Sequence, residues 1–186
     1  MIDDRYASVL TLVRCLAGGM PVDARDAVLR EAFQQLRRTA SAIEANRLDQ
    51  IIWQRWADAG TRPARLLLNE ASKALALGDI PAALDHLDRA VARDPGFAEA
   101  WNRRATVLFM VGHHHRSIAD IERVLVLEPR HYGALAGLGQ ILLQADEPEG
   151  ALIAFEAALS INPHLDRIRR LVAQLRRAER PTPLLE

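Results

Sequence analysis

Apolar residues recur at intervals of three and four positions along most of the chain, which is the spacing of amphipathic helices. Leu84, Leu87 and Val91 share one helical face in this way. The same spacing returns further along at Ile118, Ile121 and Leu125. Each such stripe must be covered by a neighbouring element, so the pattern predicts an all-α protein built from helices packed side by side.

The pattern has a fixed period. Pro95, Pro129 and Pro163 lie 34 residues apart, and a constant period of this length indicates an array of structural repeats. Columns of similar residue size keep the same period: Leu67, Trp101 and Leu135; Ala71, Ala105 and Gly139; Ala83, Ser117 and Ala151; Leu87, Ile121 and Phe155. Small residues in register permit a close crossing of two helices, and large residues fill the gaps between crossings.

This combination of small, large and proline columns resembles the tetratricopeptide repeat (TPR). The units would be 64–97, 98–131 and 132–165. The resemblance implies a right-handed α-solenoid of antiparallel helix hairpins, with an inner face that binds extended peptides or the surface of a partner protein. Stability in such an array comes mainly from contacts between neighbouring units.

The ends of the predicted helices carry turn residues. Gly78 and Gly112 follow the first helix of units one and two, where a residue with positive φ relieves a helix C-terminus. Asp146-Glu147-Pro148 replaces the glycine turn in the third unit. The three periodic prolines cannot continue the second helix of each unit.

Helical patterns also flank the repeats. Segment 1–22 reads as a loose N-terminal segment, either a loose helix or disordered. Segment 23–63 reads as a helical pair, 23–38 and 42–59, that forms a degenerate repeat or a cap on the first unit, with an independent hairpin as the alternative. Segment 166–186 reads as a C-terminal capping helix, 166–179, and a tail. The expected core of the N-terminal pair is Val28, Leu29, Phe33, Leu36, Leu48, Ile52, Trp53 and Trp56.

Composition narrows the class of protein. A formal net charge of +0 and a sequence pI near 7.0 give no field that would favour nucleic acid, so we expect no nucleic-acid partner. The single cysteine, Cys15, excludes an internal disulfide. No run of residues is apolar enough for a transmembrane segment. The N-terminus lacks the pattern of a signal peptide, which favours a cytoplasmic location and leaves a periplasmic one open.

The resemblance also implies which residues face the inner groove. They are those at the second, fifth, ninth and twelfth positions of each first helix, with their neighbours. The candidate partner-binding residues are Arg65, Leu68, Asn69, Ser72, Glu99, Asn102, Arg103, Thr106, Phe109, Gly133, Ala136, Gly137 and Gln140. Asn102 is the best anchor, because a side-chain amide both donates and accepts hydrogen bonds and can fix a peptide group.

The third unit has little side-chain bulk at Gly133, Ala136 and Gly137, so a ligand backbone could approach it closely. Relatives that clamp an acidic C-terminus use a basic pair on this unit, and here Gly133 and Gly137 stand in its place. We therefore expect no capture of that kind. Glu70 and Arg104 occupy columns that usually hold leucine, which suggests an ion pair between adjacent first helices.

The sequence contains no motif for catalysis or for a cofactor, and His113-His114-His115 lacks ligand partners at metal-binding spacing. We expect no catalytic residues, no cofactor and no metal. The prediction is a non-enzymatic protein–protein interaction module, an adaptor or scaffold that binds a protein or peptide. Self-assembly into a homo-oligomer and service as an accessory subunit of an enzyme are the alternatives.

Overall fold

The computed structural model describes residues 4–17 and 26–178. Within these ranges the chain forms ten α-helices and no strand, which confirms the all-α prediction. The helices are α1 (Asp4–Ala17), α2 (Ala27–Arg38), α3 (Ala42–Asp58), α4 (Arg62–Ala76), α5 (Ile80–Arg93), α6 (Ala98–Met110), α7 (His114–Leu127), α8 (Tyr132–Gln144), α9 (Pro148–Ile161) and α10 (Asp166–Ala178).

Six of these helices form the three predicted hairpins, α4–α5, α6–α7 and α8–α9, which pack in sequence as a solenoid. The turns have the expected geometry: Gly78 has a φ of 76° and Gly112 a φ of 79°. In the third hairpin Asp146 takes the equivalent position with a φ of 58°. Each second helix ends two residues before its periodic proline.

The small-residue columns lie where the paired helices cross. Ser117 Oγ donates a hydrogen bond of 2.7 Å to the carbonyl oxygen of Ala105, which joins α7 to α6. In the third unit the ring of Phe155 lies against Gly139, so closely that a Cβ at Gly139 would collide with it. The large residue and the missing side chain therefore compensate for each other within one unit.

The last helix covers the end of the array. Ile168 and Val172 of α10 are buried and join the main core, and α10 packs on α9. This placement matches the expected capping helix. Glu179, the predicted last residue of that helix, lies outside the described residues.

The N-terminal helix α1 packs across α7 and α9, the second helices of units two and three. Its buried side chains are Tyr6, Val9, Leu10 and Val13. This differs from the expectation of a loose segment, because four apolar residues on one face give α1 a surface to bury. The remaining residues of 1–22 lie outside the described part of the chain.

The pair α2–α3 packs against the second and third units, so the expectation that it covers the first unit is wrong. The reason is an aromatic cluster that joins α2 and α3 to the start of α8, with Trp56 tilted against Tyr132 at 5.2 Å between ring centroids and Phe33 edge-on to Tyr132 at 6.4 Å. Most of the expected core residues are buried, but Trp53 is only partly buried and Val28 is 51% exposed. Residues 23–25 lie outside the described chain.

The outer face of α4 consequently has no covering helix in the described chain. Leu66 is 56% exposed, whereas Ala100 and Ala134, one and two periods later, are fully buried. Glu70 and Lys73 form a solvent-exposed ion pair of 2.8 Å on the same face. The first unit therefore ends the array by itself.

Candidate functional site

A cleft of about 200 Å³ opens between α6 and α8, with α7 as its floor. We call it the inter-unit cleft. It is lined by Asn102, Ala105, Thr106, Phe109, Ser117, Ile121, Gly133, Ala134, Gly137, Gln140 and Ile141. Its walls are mainly apolar, and a few polar groups converge on it, as in small binding sites in general.

Six of the predicted groove residues meet in this cleft: Asn102, Thr106, Phe109, Gly133, Gly137 and Gln140. The sequence-based groove was predicted along the first helices of all three units, and the structure brings these six of its residues together between units two and three. Asn102 is 8% exposed, and its Nδ2 donates 2.9 Å to Glu99 Oε2. The side-chain carbonyl oxygen of Asn102 has no hydrogen-bond partner among the described residues.

Glu99, predicted to face the groove, is instead 1% exposed. Its Oε1 accepts 2.6 Å from Arg103 Nε, and its Oε2 lies 3.2 Å from His131 Nε2. Burial alone would raise the pKa of Glu99, but the hydrogen bonds from His131 and Arg103 outweigh burial and hold that pKa below its usual range. The carboxylate is therefore an internal link between α6 and the start of α8.

His131 has a defined tautomer because it also caps α8. Its Nδ1 accepts a hydrogen bond of 3.1 Å from the backbone N–H of Ala134, so the ring hydrogen sits on Nε2 and points to Glu99. The indole of Trp56 stacks on the same ring at 4.1 Å between centroids. Helix α3 thus covers the part of the inner surface where Glu99 and His131 meet.

Trp53 of α3 takes the space that the absent side chain of Gly133 leaves. A Cβ at Gly133 would lie 2.6 Å from the Trp53 ring. We expected a ligand backbone to approach Gly133 closely, but Trp53 of the chain's own α3 occupies that space instead. Gly133 itself lines the inter-unit cleft, so Trp53 lies next to that part of its lining.

A polar anchor fixes α3 in this position. Asp49 accepts 2.6 Å from the Tyr132 hydroxyl and 3.1 Å from Asn162 Nδ2. Burial and the neighbouring Asp49 carboxylate raise the pKa of Tyr132, so the hydroxyl keeps its proton and acts as a donor. The anchor joins α3 to both ends of the third unit.

The other predicted groove residues lie outside the cleft. Arg65, Leu68 and Asn69 line a separate recess between α4 and the end of α3, together with Gln54, Ala57 and Asp58. Arg65 donates 2.9 Å to the carbonyl oxygen of Asp58. Ser72 is exposed on α4, and Ala136 is partly buried on α8.

The suggested ion pair between Glu70 and Arg104 is wrong. Glu70 pairs with Lys73, while Arg104 holds Asp120 through two bonds of 2.7 and 2.8 Å and Asp88 at 2.8 Å. Asp120 is 4% exposed. Arg104 therefore ties α6 to α7 and to α5, because its planar guanidinium can serve two carboxylates at once.

The three adjacent histidines diverge. His113 is the N-cap of α7, and the His114 ring packs at 5.5 Å from that of Phe109. In residues 4–17 and 26–178 no group of three or more His, Cys, Asp or Glu side chains is placed to hold a metal ion. No helix in the same residues has the length and apolar character needed to cross a membrane.

The family model described as "Tetratricopeptide repeat" matches residues 68–112 and 105–166. These two matches extend over more than half of the chain. The protein belongs to the tetratricopeptide repeat family.

One similar protein is a "TPR repeat-containing protein" of Rhizobium etli, 42% identical over 135 residues, which are 73% of this chain and 66% of that protein. The "Hsp70-Hsp90 organizing protein" of Triticum aestivum is 29% identical over 104 residues, 54% of this chain and 18% of that protein. The match thus spans just under two thirds of the bacterial relative and under a fifth of the plant one.

Two solved structures share the fold. "First TPR of Spaghetti (RPAP3) bound to HSP90 peptide SRMEEVD" superposes with a TM-score of 0.60 at 18% identity, over 63% of this chain and 93% of that one. "Crystal structure of MamA protein" gives a TM-score of 0.58 at 20% identity, over 82% and 81% of the two chains. At these identities the likeness concerns the fold alone.

Proposed function

We propose that this protein is a non-enzymatic interaction module that binds a segment of a partner protein in the inter-unit cleft. The observation that carries the proposal is an open cleft between α6 and α8 in which Asn102, nine-tenths buried, keeps a free carbonyl oxygen. This oxygen is accessible from the cleft, so it can accept a hydrogen bond from a ligand that enters there.

Gly137 supports the same site. A Cβ at this position would meet only Ile121 Cδ1, at an ordinary 3.9 Å, so packing does not require glycine here. Glycine inside a helix costs about 1 kcal/mol relative to alanine. The glycine at this position therefore lowers the stability of α8 but leaves room for a ligand in the cleft.

The site proposed here is smaller than the groove that runs along all three first helices in the sequence-based prediction. Helix α3 covers Gly133 and the region of Glu99, and the recess at Arg65 lies on the other side of it. The partner segment is therefore short, and it contacts units two and three.

The proteins of similar fold give no reason to expect that this protein binds the same ligand as they do. The peptide SRMEEVD that one of them binds is acidic, whereas no side chain that lines the inter-unit cleft carries a charge. Self-assembly by stacking of array ends is disfavoured as the main function, because the free face of α4 carries the charged pair Glu70 and Lys73.

Filling the cleft tests the proposal. Gly137→Leu places a large side chain in the cleft, and Ala76→Leu places the same side chain on an exposed part of α4 as the matched control. Affinity purification from the native host should recover a partner with the wild-type protein and with Ala76→Leu, and lose it with Gly137→Leu. Retention of every partner by a folded Gly137→Leu variant, verified by circular dichroism, would refute the proposed site.

A further inference from the structure

We infer that the partner segment is uncharged and inserts one large apolar side chain into the inter-unit cleft while its backbone donates a hydrogen bond to Asn102. This inference rests on the proposed function and adds the chemistry of the ligand. It is argued from the charge, the volume and the polar groups of the cleft.

Charge excludes the acidic and basic classes of ligand. The lining is formed by alanine, glycine, isoleucine, phenylalanine and neutral polar residues. The charged groups nearest along α6 are already engaged, because Glu99 binds both Arg103 and His131. A charged ligand side chain would lose its hydration without gaining an opposite charge, which is costly.

The volume matches a single side chain. Apolar cavities of about 150 Å³ in proteins bind a molecule the size of benzene, and this cleft measures about 200 Å³. A leucine, isoleucine, methionine or phenylalanine side chain therefore fills it. Ile121 and Ile141 provide the apolar contacts, and burial of such a side chain stabilises a complex by about 1.5 to 3 kcal/mol.

Two polar groups define the path of the ligand backbone. The Asn102 carbonyl oxygen can accept one N–H, and the Gln140 amide, which has no partner among the described residues, can both donate and accept. They belong to α6 and α8 respectively, so they lie on opposite walls. A peptide group held between them would be oriented with its side chain toward the floor.

The residues at the two ends of the cleft determine in which direction the bound peptide extends beyond it. Trp53 of α3 lies beside Gly133 at one end of the cleft lining. At the other end Phe109 is followed by Met110, which is 64% exposed, and by Val111, which is 39% exposed. The partner segment therefore extends over this apolar rim, away from α3.

Selection from a random peptide library displayed on phage tests the inference, with the full-length protein immobilised. Wild type and Ala76→Leu should enrich peptides that share one large apolar residue with uncharged neighbours. Gly137→Leu should not enrich them. In a synthetic consensus peptide, replacement of the apolar residue by alanine should weaken binding about 10-fold or more, and Asn102→Ala should weaken it as well.

The failures of the two proposals differ. Peptides that depend on Gly137 but share an acidic or basic motif would overturn the inferred ligand chemistry and leave the proposed site standing. Enriched peptides that bind Gly137→Leu as well as wild type, or no enrichment in any sample, would overturn the proposed peptide site itself.

Discussion

The first and third units share one scaffold but differ on one side of their first helix. In α8 this side carries Leu138 and Ile141, which are buried in the main core. The same columns of α4 hold Glu70 and Lys73, which pair in solvent. We expect this exposed charged pair to disfavour the stacking of a further unit on α4, because burial of charged side chains is costly.

The N-terminal helices show the same asymmetry. Helix α1 packs on α7 and α9, and α3 contacts the start of α8 and the loop after α9, so both reinforce the second and third units. The first unit contacts α3 mainly beside Asp58 and Gly60. The proposed binding cleft lies in the reinforced part, where a fixed geometry reduces the entropy lost on binding.

The largest effect is expected where α3 meets the third unit. Trp56→Ala should lower the free energy of unfolding by about 3–5 kcal/mol, because the indole is 4% exposed and stacks on His131. Leu77→Ala, at an 85% exposed residue of the first unit, should change it by less than about 0.5 kcal/mol. Equal effects in urea denaturation would show that α3 does not reinforce the third unit.

The next largest difference in the free energy of unfolding is expected between a buried and an exposed ion pair. Arg104→Met should cost about 3 kcal/mol, because it leaves the buried Asp120 without its partner. Lys73→Met in the exposed pair should cost less than about 1 kcal/mol. A double-mutant cycle of Arg104→Met with Asp120→Leu should recover part of the loss; strict additivity would remove this ion pair from the account.

The Glu99 link should appear in the pH dependence of stability. Because the folded-state pKa of Glu99 lies below the ordinary glutamate value of 4.5, its contribution to stability is present above that pH and is lost as the pH falls through the folded pKa. Glu99→Gln should therefore cost about 2 to 3 kcal/mol at pH 7. The gap between wild type and Glu99→Gln should narrow in denaturation experiments below pH 4.5, and a gap independent of pH would contradict this role.

Two glycines of α8 should respond with opposite signs. Gly139→Ala should destabilise the protein by about 1–2 kcal/mol, since its Cβ would collide with the Phe155 ring. Gly137→Ala should stabilise it by about 0.5–1 kcal/mol, since its Cβ faces the open cleft. Thermal unfolding of the two variants gives the comparison, and a loss of stability in both would mean that the cleft has no room.

The smallest effect on stability is expected at the free face of α4. Replacing Glu70 and Lys73 together with leucine and isoleucine copies the third unit, and it should change the free energy of unfolding by less than about 0.5 kcal/mol. It should, however, promote association at high protein concentration, because the new apolar surface has no cover. Analytical ultracentrifugation detects this, and a strictly monomeric variant would show that the charged pair is not what ends the array.

Much of the fold follows from local and periodic signals. The 34-residue period predicted three hairpins, the amphipathic pattern after residue 165 predicted a capping helix, and glycine and proline marked the ends of helices. Residue size within a column also carried information, as Gly139 and Phe155 show. These signals are readable because each unit contacts chiefly its neighbours in sequence.

The position of the N-terminal helices could not be read in the same way. The amphipathic pattern of α3 shows that it buries Ile52 and Trp56, but not which surface covers them. The contacts of Trp53 with Gly133 and of Asp49 with Tyr132 join residues about eighty positions apart and outside the period. The sequence therefore predicted residues of the candidate site on α6 and α8, but it did not predict that α3 would lie beside the site.

The central claim is that a partner engages the cleft between units two and three and leaves the first unit free. Two-dimensional NMR of the labelled protein, titrated with a library-selected peptide, tests it most directly. The side-chain amide signals of Asn102 and Gln140 and the methyl signals of Ile121 and Ile141 should shift, while those of Leu66 and Leu77 on the first unit stay in place. Shifts that concentrate on α4, or on the surface of α1, would contradict the account.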